Sequence, residues 1–154
     1  MPTVDQVLNN PLYIAFHTQY RHMWNSLLLR AERAGIHFVK TPSKSGISAR
    51  ITCERRSPQS QAALYAKGRT RPGRIVTNAN AWQSPHQYDL ATDVMLYLNG
   101  KPCSKGSETP WGLWIPMVRF VGLTSGADFS SLKDYGHVEH PRWRLLARQF
   151  GVDV

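Results

Sequence analysis

A chain of 154 residues that is 42% hydrophobic can enclose one core and is short for two, so a single domain over residues 1–154 is expected. The formal net charge of +9 calls for a polyanionic environment, whether nucleic acid, anionic lipid or an acidic cell-wall polymer. No stretch approaches the roughly 18 to 20 uncharged apolar residues of a bilayer span, and the first residues lack the basic start and apolar run of an export signal.

In chain order, Tyr20, Met23, Trp24, Leu27, Leu28, Ala31 and Ala34 recur at three and four between His17 and Ala34, with Gly35 able to close the run. This predicts an amphipathic helix packed on the core, and packing or surface placement accounts for His17, His22 and His37. "KTPSKSG" (40–46) reads as a loop and "ISARITC" (47–53) as a strand. Ser57 can cap a helix that has Pro58 at its first position and ends at Gly68. "RTRPGRIVTNANAWQ" (69–83) is a long connection of the kind that binding loops use. "LATDVMLYL" (90–98) is a strand, and "NG" at 99 and 100 signals a hairpin. "WGLWIPMVRFVGL" (111–123) is an apolar helix with Pro116 expected in its first turn. "YGHVEH" (135–140) is a last strand, and "PRWRLLARQFG" (141–151) a short basic amphipathic helix. Strands and helices mix without regular alternation, which predicts an α+β fold with a small, mainly antiparallel sheet and flanking helices. Cys53 and Cys103 show no CxxC spacing and are expected to be buried or indifferent.

His86 follows the breaker-rich connection, and Asp93 comes later, within the predicted strand. In one continuous strand an odd separation would send the two side chains to opposite faces; a turn after His86 lets them converge at the strand's entry. In "DYGHVEH" (134–140), a turn at Gly136 can aim Asp134 and His137 into one pocket. Three ligands, His86, Asp93 and His137, would leave one position of a tetrahedral zinc open for water, the arrangement of a catalytic site. Asp134 would serve as general base, and Arg56, at a strand end before a capped helix, could stabilise an oxyanion. A histidine, a spaced aspartate and a later DxxH also arise by coincidence, so spacing leaves the metal site and an incidental set both open.

"ITCERRSPQSQAALYAKGRTRPGRIVTNANAWQSPHQYDLATDVMLYLNGK" and "GLTSGADFSSLKDYGHVEH" together resemble the zinc D-alanyl-D-alanine carboxypeptidase and L-alanyl-D-glutamate endopeptidase family, especially its phage endolysin branch. The resemblance runs over about residues 47–140: an arginine-serine turn, a Gln-containing helix, a "GRTxPGxIVTNA" loop, Ser-x-His, Ala-x-Asp, and an acid three residues before a histidine. It implies that His86, Asp93 and His137 hold one zinc ion at the sheet, that Asp134 is the catalytic acid/base, and that Arg56 positions substrate and stabilises the oxyanion. It further implies that Gln61 and Ser84 lie near substrate. Glu54 and Arg55 stand where the family usually has Gly-Tyr, Asp89 where it often has glycine, and "GADF" (126–129) where it has Gly-Gly-Asp-Trp. His140 matches no role and is expected at the surface.

The function so implied is hydrolysis of the peptidoglycan stem peptide during host lysis, at the L-alanyl-D-glutamate bond, by a monomer held in the host cytoplasm until it is released to the wall. A D,D-carboxypeptidase removing terminal D-alanine is the alternative among enzymes. A basic nucleic-acid-binding module is the alternative of another class, though no nucleic-acid motif accompanies the charge. No separate wall-binding domain is expected, so the basic surface, with the helix at 141–151, would supply contact with the wall or outer membrane.

Overall fold

Two caps decide how the chain begins. In the computed structural model, which describes residues 1–154, the Thr3 hydroxyl accepts from the Gln6 amide while the Gln6 side chain accepts from Thr3 N–H, a capping box that starts α1 (Val4–Leu8). Asn10 then caps α2 (Pro11–Arg33), whose first residue is a proline with no amide to satisfy. The long helix therefore starts six residues before the expected boundary at His17. It buries Tyr13, Phe16, Tyr20, Trp24, Leu27 and Ala31, a stripe at three- and four-residue spacing, while Ala34 falls outside the helix as its C-cap.

The sheet comprises β1 (Ile36–Phe38), β2 (Ile47–Cys53), β3 (Ala91–Leu98), β4 (Lys101–Pro102), β5 (Thr124–Ser125) and β6 (His137–Glu139). The strand order is β1-β2-β3-β6-β5, with β4 hairpinned onto β3 through Asn99 and Gly100, both at positive φ as a two-residue turn requires. All pairings are antiparallel except β1 with β2. The α+β class with a mainly antiparallel sheet is thus as expected; the parallel edge strand β1, three residues long, is an addition. α3 (Pro58–Ala66) starts at the predicted Ser57 cap. No helix is long and apolar enough to cross a membrane.

α2, α4 (Thr109–Phe120) and α5 (Trp143–Gln149) cover one face of the sheet. Thr92, Val94 and Leu96 of β3 point into that core, while the alternate residues Asp93, Met95 and Tyr97 face the other way and are only half-buried. Trp24 of α2 meets Phe38 of β1 and Trp114 of α4 edge-on, and Phe38 and Trp114 pack at a tilt. Pro116 departs from expectation, because α4 starts at Thr109 with Pro110 in the first turn, which leaves Pro116 in the helix interior. The residue whose carbonyl loses its partner is Gly112, and both lie on the exposed side of α4, where water can take the bond. His140 also departs: it is buried, stacked on Phe16 with centroids 4.5 Å apart and hydrogen-bonded to Gln19.

Candidate metal centre

On the uncovered side of the sheet, Asp93 sits directly opposite Cys53 of β2 and directly opposite His137 of β6. Residues paired across neighbouring strands share a face, so the register alone collects these three side chains. A β-bulge between Ile51 and Cys53 lets β2 bend where the site begins. His86 arrives from outside the sheet on a 3₁₀ turn (Pro85–Tyr88) that leads into β3. That turn is the geometry the sequence required for His86 and Asp93 to converge.

Asp93 stands between the two histidines, and donor atoms gather within 4.8 Å in two sets that share it: Cys53 with His86 and Asp93, and Asp134 with His137 and Asp93. His86 Nε2 lies 3.2 Å from Asp93 Oδ2, and His137 Nδ1 lies 2.9 Å from Asp93 Oδ1. Ligand atoms about 3.3 Å apart are what metal bonds of about 2.0 Å in a tetrahedron produce. The far nitrogen of each ring is committed elsewhere: His86 Nδ1–H donates to the Glu54 carbonyl at 2.5 Å, and His137 Nε2–H donates to Glu139 Oε2 at 2.8 Å. Each bond sets the orientation of its ring so that the other nitrogen faces Asp93, the orienting arrangement found behind metal-binding histidines. The local field also favours positive charge here. Burial opposes protonation of His86, but its bonds to Asp93 and Cys53 prevail and push its pKa up to about 10; His137, likewise opposed by burial and supported by Asp93 and Glu139, is raised to about 9. The two imidazoles outweigh burial at Asp93 and hold its carboxyl well below the ordinary range.

Asp134 stands at the open side of this set, with a carboxylate oxygen within 4.8 Å of the donor atoms of Asp93 and His137. Its position is set by backbone. Asp134 N–H donates to the Gly126 carbonyl, its Oδ1 accepts from Gly136 N–H at 3.2 Å, and its carbonyl accepts from His137 N–H. A side chain at Gly126 would collide with the Asp134 carbonyl and the His137 Cβ, and one at Gly136 would collide with the Val94 carbonyl. Two glycines therefore let the DxxH loop close on β3. Although much of Asp134 is exposed, the recess desolvates its carboxyl and Asp93 adds a like charge, so its pKa lies above the usual value, which suits a proton acceptor.

Arg56 reaches the same place from the other side: one guanidinium nitrogen lies 3.6 Å from Asp93 Oδ2, and the other donates to Gln61 Oε1 at 2.9 Å. Gln61, fully buried, donates in turn to the Ala79 carbonyl at 2.8 Å and so ties α3 to the 69–83 connection. Ser84 is buried, and its hydroxyl accepts from the His86 amide at 3.4 Å, holding the turn that presents His86. Arg55, beyond the end of β2, lines a shallow recess with Val4, Tyr13 and Asp89.

Two members of the site carry no role in the sequence reading. Cys53 is within 3.8 Å of His86 Nδ1 and 3.4 Å of an Arg56 nitrogen, so it is not an indifferent thiol. Its place follows from strand register, which residue spacing does not encode. Glu139 bonds His137, Trp143 Nε1 at 3.1 Å and Arg144 at 3.4 Å while itself buried. Here a signal was available, because His137 and Glu139 are two apart in a strand and must share a face. Phe129, in the variant "GADF" segment, packs its ring 5.5 Å from that of His137.

Among characterised proteins the chain is similar to the peptidoglycan L-alanyl-D-glutamate endopeptidase CwlK of Bacillus subtilis (strain 168), with 31% identity over 105 residues. The match covers 63% of this chain and 63% of that protein, so the chain spans under two thirds of the relative's length. No family model matches the chain. The activity in that protein's name is one of those in the family that the sequence resembles.

Proposed function

We propose that this chain is a zinc peptidase that hydrolyses the stem peptide of peptidoglycan at the L-alanyl-D-glutamate bond, acting as the endolysin of a bacteriophage during host lysis. The observation that carries the reading is that Asp93 stands between His86 Nε2 and His137 Nδ1, at 3.2 and 2.9 Å, with both distal ring nitrogens already engaged. The named activity of the Bacillus relative supports the bond, and the "GRTxPGxIVTNA" loop supports the phage assignment.

His86, Asp93 and His137 would hold the zinc, which supplies Lewis acidity and makes water a nucleophile near neutral pH. Asp134 takes the proton as water attacks the scissile carbonyl and returns it to the departing amine. The Arg56 guanidinium, pinned by Gln61, faces the negative charge that develops on the carbonyl oxygen. Ser84 acts by holding the His86 turn.

Mass spectrometry of digested muropeptides tests the assignment. Zinc-loaded protein is expected to separate alanine from glutamate; loss of only a terminal alanine would convert the assignment to a D,D-carboxypeptidase, and lysis that survives exhaustive chelation would remove zinc from it. Asp134→Ala is expected to keep its metal and lose at least about a hundredfold in turnover, the scale of a general base. Full turnover in that variant would remove Asp134 from the mechanism.

A further inference from the structure

Between Glu54 and Asp89 the chain has no acidic residue but six cationic ones: Arg55, Arg56, Lys67, Arg69, Arg71 and Arg74. Three of them, Lys67, Arg71 and Arg74, are exposed and make no ion pair or side-chain hydrogen bond in the structure. They occupy a folded-back turn. Lys67 and Arg71 bridge through backbone, Gly68 N–H donates to the Arg71 carbonyl at 2.9 Å, and Gly68, at φ 73°, packs so closely on Arg74 and Ile75 that no side chain could replace its hydrogen. The turn fixes where each cationic side chain leaves the backbone.

The turn and one face of α3 enclose an open groove of about 530 Å³, lined by Ser60, Ala63, Leu64, Lys67, Arg71 and Pro72. That volume suits a few residues of a peptide. Its chemistry is mixed, with an apolar floor of Ala63, Leu64 and Pro72 between a hydroxyl and two cationic side chains. A ligand with carboxylates spaced among small apolar side chains matches it, since guanidinium and carboxylate pair through two parallel hydrogen bonds. The cations in and just before α5 are otherwise employed: Arg144 lies over Trp143 and pairs with Glu139, Arg142 lies over Phe16, and Arg148 donates to the Val154 carbonyl.

We infer that the groove between α3 and the 67–74 turn binds carboxylate-bearing stem peptides of peptidoglycan other than the one being cut, and so holds the enzyme on its insoluble substrate. The inference rests on the peptidoglycan reading above, in which every stem contains glutamate and therefore free carboxylate.

The test uses cosedimentation of the zinc-loaded Asp134→Ala protein with purified sacculi, with and without Lys67→Glu/Arg71→Glu. Native sacculi are compared with sacculi whose carboxylates have been converted to neutral amides. The double substitution is expected to weaken binding to native sacculi at least about tenfold, the scale of two lost charge contacts. It should make no difference on amidated sacculi, which both proteins bind weakly. In the otherwise native enzyme the same pair should leave hydrolysis of a small soluble muropeptide within twofold, and that assay reads the proposed activity separately. Lys67→Gln/Arg71→Gln should weaken binding in the same direction without charge reversal. Unchanged binding of the charge-reversed protein to native sacculi would overturn the inference. Equal binding of the parent protein to native and amidated sacculi would do so too, because the partner would then be another envelope polyanion.

Discussion

Asp89 stands where the family that the sequence resembles often has glycine, and its φ of 52° accounts for this: the residue closing the His86 turn adopts the left-handed conformation. Aspartate tolerates that region better than most side chains, and its carboxylate meets His17 Nε2 at 3.1 Å, which fastens the turn to α2. The departure from glycine is thus a change in how one turn is held. Glu139 is the residue whose removal should be most informative. Glu139→Gln keeps the shape but removes the charge that orients His137 and offsets Arg144, so zinc affinity should fall about 10- to 100-fold in a competition assay with a chromogenic chelator. Unchanged affinity would mean that the His137 ring is set by packing on Phe129 instead. At this scale residue type and short spacing were enough to expect His86, Asp93, Asp134 and His137 to lie beside one another, as they do. They were not enough for Cys53, whose position beside His86 depends on which residue of β3 lies opposite it.

His140 belongs to the scale of elements, because it joins α2 to the segment between β6 and α5. Its Nε2–H donates to Gln19 Oε1 at 3.0 Å, and its Nδ1 accepts from Arg142 N–H at 3.1 Å, so both ring nitrogens are satisfied only in the neutral form. Burial, and then the Arg142 charge, push its pKa down to about 4 from an ordinary 6.5. A depressed histidine pKa means that the unfolded chain takes up the proton first. The stability that neutral His140 contributes is therefore complete above about pH 6.5 and is lost as pH falls through about 4, at up to about 1.4 kcal/mol per pH unit. Urea unfolding of zinc-loaded protein at pH 7 and pH 5 should show wild type losing more stability than His140→Gln, with other titrations cancelling in the comparison. Equal losses would mean that His140 protonates freely in the folded state. Its expected surface position failed because the residue matched no catalytic role, and lack of a role says nothing about burial. Pro116 failed for a related reason: the apolar run begins at Trp111, but α4 begins at Thr109, and periodicity marks the buried face more reliably than the end.

For the whole molecule, the consequence of the site is mechanical as well as chemical. The three proposed ligands come from the turn before β3, from β3 itself and from β6, so a bound ion would join the centre of the sheet to a loop and to a strand only three residues long. Such an ion binds only the folded arrangement, and at a free concentration about a thousandfold above its dissociation constant it stabilises by about 4 kcal/mol. For a chain of this size that corresponds to a rise in Tm of roughly 8 to 16 °C. Chelation should remove that increment from wild type. Asp134→Ala should lose the same increment, because Asp134 is assigned to proton transfer and not to the metal. His137→Ala should melt at one temperature with or without chelator, having too few ligands to gain from zinc. A wild-type Tm indifferent to chelation would sink the metal centre, whereas a chelator-sensitive Tm in His137→Ala would leave the ion in place and move its third ligand, with Cys53 the nearest candidate beside His86 and Asp93.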